Sequence, residues 1–354
     1  MVGISLLTLV PNISGGSETY ARELCRALAR IGDLEYRVFV PSIAPDAGDG
    51  LPTTVVDRYR ASRSMPGRIA AMSLAAVRPG PLRRALEVDE LDALHFPLSV
   101  MLPPVRRPPT VTTVLDLQHE EHPEFFGRAE LTYRKRVYGW TVRRSRIVVA
   151  ISEHGRETLI ERYGLAPDRV RAIHLAVDHA RFSPDKSPRG DYLLYPARPW
   201  PHKNHARLYA AFGHVRRERP ELRLVLTGEG DFGNVPDGVD VRGRVSTDEL
   251  VALYRGAAAV VFPSLYEGFG MPVVEAMACG CPVACSNVTS LPEVVGDAAR
   301  LFDPRDVDDI AAAIDEVLRN PEPFVARGLE RAKLFTWDAN ARAHDEIYRE
   351  LASS

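Results

Sequence analysis

Short continuous apolar runs alternate along this chain with longer stretches in which apolar residues return every three or four positions. That alternation is expected of parallel strands covered by helices. Residues 4–10 (ISLLTLV), 36–40, 93–96, 111–115 and 147–151 read as strands of a first unit. After the first run, residues 17–31 carry Ala21, Leu24, Leu28 and Ile31 at helical spacing, and Gly32 is placed to close the helix. The pattern restarts near residue 190. Strands are expected at 192–195, 222–226, 239–242, 259–262 and 282–285, with helices at 205–217, 247–257 and 272–278. A last helix is expected over 337–351. Apart from the run 93–96, residues 41–109, rich in Pro and Arg, are less regular.

Length adds a boundary to this pattern. A chain of 354 residues exceeds one typical core and suits two domains. The stretch 183–190, SPDKSPRG, has the composition of a linker, so the domains are expected at 1–184 and 190–336.

Charge and cysteine usage narrow the class. The formal net charge of −2 argues against bulk binding of nucleic acid, which needs many phosphate-neutralising cations. Locally the balance differs: from Arg128 to Arg146, only Glu130 opposes Arg134, Lys135, Arg136, Arg143 and Arg144. That run reads either as a solvated helix face or as a patch facing an anionic acceptor or a membrane surface. No stretch approaches the ~18–20 apolar residues of a membrane-spanning helix. The first residues, MVGISLLTLVPN, lack the basic flank of a leader, so a cytoplasmic location is expected, with peripheral contact at the inner face of a membrane as an extension. Cys25, Cys279, Cys281 and Cys285 fit neither a disulfide framework nor a zinc spacing and read as small core residues.

The candidate chemistry is concentrated at residues 267–275, EGFGMPVVE. Two carboxylates stand eight residues apart across two glycines and a proline, just after the apolar run 259–264. Pro272 suits the first turn of a helix, which would put Glu275 in that turn and Glu267 at the end of the strand. Gly268 and Gly270 let backbone approach a ligand, and the free N–H groups of a helix start favour an anion such as a diphosphate. The segment 197–205, ARPWPHKNH, also follows a strand and precedes a helix, and it brings Arg198 and Lys203 to the same sheet edge. Gly15 and Gly16 follow the first strand in a similar setting.

Together these segments resemble the retaining glycosyltransferases of family 4, the group 1 transferases, with their E-x7-E signature, and in particular their mannosyl- and rhamnosyltransferase subgroup. The resemblance implies the GT-B fold: two Rossmann-like doubly wound α/β domains facing a central cleft, with the last helix (337–354) crossing back to complete the first domain. It also implies roles. Glu267 would address the donor sugar and Glu275 the ribose hydroxyls, while the loop from Gly268 through Phe269, Gly270 and Met271 would meet sugar and phosphate. Arg198 and Lys203 would neutralise the leaving nucleoside diphosphate, with His202 and Asn204 shaping their loop. Gly15 and Gly16 match a GG-x-E turn near the phosphate or acceptor. Gly228, in the turn TGEG, would lie against the nucleotide, and its base would sit near Arg244 and Val245. Ser290 and Leu291 could approach the diphosphate at another helix start. The chain departs from the pattern at Leu115-Asp116, where many relatives have His-Asp. His119 could supply an imidazole from a shifted position, or Asp116 could orient the acceptor without it.

The activity implied is metal-independent transfer of a hexosyl group, without a cofactor, from a nucleoside-diphosphate sugar to a hydroxyl of a glycan, lipid-linked or small-molecule acceptor. Polysaccharide biosynthesis is the expected setting. The resemblance tilts the donor toward GDP-mannose or dTDP-rhamnose over UDP-sugars. Two rivals share the architecture: a nucleotide-sugar epimerase, and a silent nucleotide-sugar-binding subunit, which the Leu115 departure would suit.

Overall fold

The computed structural model describes residues 1–11, 15–186 and 188–353; Ser187, inside the expected linker, lies outside them. The chain forms two units, Met1–Leu175 with Trp337–Ser354, and Ala176–Thr336.

In the first unit, β1 (Val2–Ser5), β2 (Tyr36–Val40), β3 (Thr53–Val55), β4 (Ala93–Phe96), β5 (Thr110–Val114), β6 (Ile147–Ala150) and β7 (Val170–Ala172) form one sheet. Its order is β3-β2-β1-β4-β5-β6-β7, and every pairing is parallel. The strand expected over 4–10 ends at Ser5. Leu6 N–H still bonds to Phe39 O, but Leu9 N–H turns back to Leu6 O at 2.9 Å, so residues 6–10 are apolar because they are buried rather than extended. Two elements of the unread region 41–109 are β3, a short edge strand with exposed alternate residues, and a helix at Met65–Val77.

The helix Trp337–Ala352 packs on Gly16–Ile31 within this unit, as the resemblance implied. Among its buried residues are His344 and Tyr348, which take part in one directed chain of hydrogen bonds. His344 Nδ1 bonds the carbonyl of Asn340 at 2.9 Å and must be its donor, so Nε2 accepts from Tyr20 Oη at 3.1 Å. Tyr20 then accepts from Thr113 Oγ1 at 2.9 Å, and Thr113 accepts from His95 Nε2 at 2.9 Å. His95 Nδ1 is left to accept from Tyr348 Oη at 2.7 Å. A single carbonyl thus sets the direction of five hydrogen bonds, with both histidines neutral. Burial pushes the imidazole of His95 well below its usual range and that of His344 down to about 4.

The second unit repeats the strand order. β8 (Tyr192–Pro196), β9 (Arg223–Thr227), β10 (Val239–Val241), β11 (Ala259–Phe262), β12 (Val283–Ser286) and β13 (Arg300–Phe302) lie as β10-β9-β8-β11-β12-β13, again all parallel. Residues 176–184 belong with this sheet rather than with the first domain. Val177 N–H bonds Phe335 O, Arg255 Nε donates to Ser183 O at 2.7 Å, and Phe182 packs on Tyr254. The four cysteines are buried and free.

Candidate active site

Parallel strands direct all their carboxyl ends to one sheet edge, and the strand order of the second sheet reverses between β8 and β11. Open α/β sheets bind ligands at such a reversal. The loops that follow these two strands carry Lys203 and Glu267, and their side chains form an ion pair, Nζ to Oε1, at 2.5 Å. Both side chains are largely enclosed, 13% and 12% exposed. Lys203 Nζ also stands 5.3 Å from the centre of the Phe262 ring. The carbonyl of Lys203 accepts from Tyr195 Oη at 2.7 Å, so β8 itself fixes the loop that bears the lysine.

Asn204 joins three loops at this edge. Its backbone is left-handed, φ 60°, a conformation that Asn tolerates better than most residues. Its buried Nδ2 donates to Pro263 O at 3.0 Å and to Pro304 O at 2.7 Å. Leu265 N–H bonds His202 O at 2.7 Å and adds a second tie between the loops after β8 and β11.

The glutamate loop is clasped from the far side by the loop after β12. Glu267 N–H donates to Thr289 Oγ1 at 3.1 Å, and Ser290 Oγ bonds the carbonyls of Glu267 and Phe269 at 2.9 and 3.0 Å. Thr289 has φ 54°, an unusual conformation for a β-branched residue, held by these contacts. Phe269 is buried edge-on against Phe335 at 5.5 Å. Gly270 has φ 105°, and a Cβ there would lie 2.6 Å from Leu291 Cδ2, so no other residue fits without displacement. Met271 opens the helix Met271–Ala278, whose first turn includes Pro272. Glu267 itself stands beyond the end of β11, in the loop.

Glu275 lies one turn deeper in that helix than its spacing from Pro272 suggested. Its Oε2 accepts from Tyr254 Oη at 2.9 Å. Burial raises its carboxyl to about 7, opposed by the tyrosine hydrogen bond. Tyr254 was not legible as a site residue, because its contact with Glu275 depends on how helix Thr247–Gly256 packs.

The remaining nucleotide-side candidates share the edge. Gly228 has φ 125°, and a Cβ there would lie 2.9 Å from Arg198 N, so the turn after β9 rests directly on the backbone of the loop after β8. Its N–H bonds Gly243 O at 2.7 Å, which brings in the turn bearing Arg244, exposed, and Val245, half-buried. Arg198 is more open: its guanidinium lies 3.7 Å from Glu229 and 5.6 Å from the Trp200 ring centre.

In the first unit, Gly15 caps the helix Gly16–Ile31 with φ 51°, and its carbonyl accepts from Glu18 N–H at 3.0 Å. Asp116 follows β5. Its Oδ1 accepts from Gln118 N–H at 2.7 Å and its Oδ2 from Arg134 Nη1 at 3.0 Å, while the side chain remains 39% exposed. His119 corrects an expectation. It is wholly buried, with Nε2 3.2 Å from Tyr163 Oη and the ring edge-on to Tyr138 at 5.0 Å, and burial lowers its pKa. In this packing no atom of the imidazole is open to a sugar, although Asp116 is.

Residues 14–181 match the family described as Glycosyltransferase Family 4, and residues 177–333 match Glycosyl transferases group 1. The O-antigen chain mannosyltransferase B of Escherichia coli is 34% identical over 266 residues, covering 66% of this chain and 68% of that protein. The chain belongs to the group 1 glycosyltransferases of family 4. A second family member, the MMP alpha-(1->4)-mannosyltransferase of Mycolicibacterium hassiacum, is 30% identical over 238 residues, covering 60% of this chain and 58% of its own length. The fold is GT-B: sucrose-phosphate synthase from Thermosynechococcus elongatus superposes with a TM-score of 0.78 at 20% identity, covering 100% of this chain and 99% of its own. Family 4 membership makes this a retaining glycosyltransferase that takes its sugar from a nucleotide-sugar donor. Among the described residues no helix is long and apolar enough to cross a membrane, and no cluster of His, Cys, Asp and Glu is suited to hold a metal ion.

Proposed function

We propose that this glycosyltransferase transfers a mannosyl group from GDP-mannose to a glycan hydroxyl, with dTDP-rhamnose as the alternative donor. The carrying observation is the enclosed Lys203–Glu267 pair at the β8/β11 reversal, beside a loop that glycine and Ser290 hold in one shape. A donor diphosphate would compete with Glu267 for the Lys203 ammonium, freeing the carboxylate to accept from a sugar hydroxyl. Negative charge that develops on the departing phosphate would meet a preorganised cation, with Arg198 joining from the rim, so metal is not required. Glu275, as a carboxylate, would accept from the ribose hydroxyls, with Tyr254 donating to its other oxygen. Gly228, Arg244 and Val245 would flank the base, and the exposed Asp116 would orient the acceptor. As the family resemblance implies, the departing phosphate would help take the acceptor's proton, consistent with retention. The mannosyltransferase relatives support the choice of sugar.

A panel of GDP-, dTDP- and UDP-sugars, assayed without metal for released nucleoside diphosphate, tests this reading. Release from GDP-mannose that Glu275→Ala abolishes is the expected result. Preference for a UDP-sugar would overturn the donor, and tight binding without turnover in the presence of acceptor extracts would favour the silent subunit.

A further inference from the structure

The outward side of one helix in the first unit is apolar. On Met65–Val77, the exposed residues Pro66, Ile69, Ala70, Ser73, Leu74 and Val77 recur every three or four positions and so share a face, with Ser73 its single polar member. Ile69 is 52%, Leu74 62% and Val77 78% exposed. On the inward side Ala71, Met72 and Ala75 pack on the core cluster that contains Leu82, Leu86 and Met101, with Arg68 beside them. A surface helix ordinarily turns its polar residues outward, and here the outward face is the apolar one.

The surroundings of this face are cationic. Residues 58–86 contain seven arginines and no Asp or Glu, although the whole chain carries a net −2. Arg78 and Arg84, both exposed, follow the helix directly. The basic helix Arg128–Arg144 is its neighbour: Tyr133 Oη reaches Met72 Sδ at 3.6 Å, and Trp140 packs on the same core cluster. Around Trp140, the side chains of Lys135, Arg136, Arg143 and Arg144 line an open depression of about 640 Å³. The one acid on the exposed side of that helix near Tyr133, Glu130, is paired with Arg134.

We propose that the face formed by Ile69, Leu74 and Val77, with its arginine border, docks the first unit on an anionic lipid surface. The apolar residues would enter the boundary between headgroups and acyl chains while the guanidinium groups meet lipid phosphates. Charge selects this occupant. A second copy laid face to face would oppose two sets of arginines, and a small acidic ligand would leave the apolar residues in water. Such docking would suit an acceptor carried on a lipid, but it does not depend on the identity of the donor.

Co-sedimentation of the full chain with vesicles tests the proposal. Phosphatidylcholine vesicles containing phosphatidylglycerol should bind the protein, pure phosphatidylcholine vesicles much less, and added salt should weaken the binding. Leu74→Asp combined with Val77→Asp should lower the partition by about tenfold or more, and Arg78→Ser with Arg84→Ser should lower it and reduce its salt dependence. Circular dichroism checks that the variants fold; all four side chains are exposed. Absence of binding to anionic vesicles, or equal partition of folded variants, would overturn the proposal. So would a dimer in solution that Leu74→Asp dissociates, since that outcome assigns the face to a second copy. Nucleoside diphosphate release is read without vesicles, so failure here leaves the donor reading intact.

Discussion

The two sheets share a strand order and treat its reversal point differently. In the first, between β1 and β4, the following segments fill the edge with apolar side chains: Leu6, Leu7 and Leu9 after β1, and Met101, Leu102 and Val105 after β4, all buried. In the second, between β8 and β11, the same topological position holds a lysine, a glutamate and a glycine with φ 105°. Topology creates a crevice at each reversal, and only the side chains decide whether it becomes core or site. The buried polar groups differ in the same way. In the first unit Tyr20, His95, Thr113, His344 and Tyr348 are linked in a neutral chain, whereas in the second the carboxyl of Glu275 is held by Tyr254 at one oxygen and burial makes it costly to ionise.

Removing the cation should break the contrast most severely. Lys203→Ala is expected to lower kcat by about 10²–10³-fold and also to lower Tm, because Glu267 is left enclosed without its cation, whereas Leu102→Ala at the first reversal should cost about 2–5 kcal/mol of stability without removing a charged group from the site. Asn204→Ala comes next. It leaves the buried carbonyls of Pro263 and Pro304 without their donor, and denaturant unfolding should show a loss of about 1–3 kcal/mol, accompanied by reduced turnover. Gly270→Ala, forced against Leu291 at positive φ, should cost about 1–3 kcal/mol and should impair donor binding more than Gly→Ala at an open turn would.

A finer distinction lies in pH. The carboxyl of Glu275 is raised from 4.5 to about 7 on folding, so between those values the folded state holds more protons than the unfolded one. Its contribution is full below 4.5 and lost as pH rises through 7. His344 is lowered from 6.5 to about 4, so its contribution is full above 6.5 and lost as pH falls through 4. Titrated calorimetry should therefore show opposite slopes for the two groups: Glu275→Gln should gain stability over the parent as pH rises from 5 to 7, and His344→Gln should lose its disadvantage as pH falls toward 4. Parallel slopes would remove this part of the comparison.

Strands buried on both faces were easiest to read. β4 and β11 are buried at every position and β2 at every position but Arg37, and their limits match the expected strands. Edge strands such as β3 and β13 carry too few buried positions to show a period. The helix Met65–Val77 was unreadable for a different reason: its exposed face is apolar and Arg68 stands on its core side, so no ordinary amphipathic alternation remains. In the site, Glu267, Gly270 and Lys203 were legible because strand-turn-helix junctions confine them locally. The contacts of Asn204 with Pro263 and Pro304 join residues 59 and 100 positions apart, which spacing alone does not reveal. His119 misled because DLQHEEH is polar, while the tyrosine that closes over it comes 44 residues later.

The composition of the first unit from two separate stretches bears on how the protein is made. Tyr20, His95 and Thr113 leave the ribosome long before His344 and Tyr348, the partners that complete their hydrogen-bond chain. At about 5–20 residues per second, the roughly 160 residues between impose a wait of about 10–30 s. The second unit, by contrast, is continuous and can finish folding as soon as it emerges. For that interval the nascent first unit exposes an unfinished flank, so the cell meets this enzyme first as a client for chaperones and only later as a catalyst.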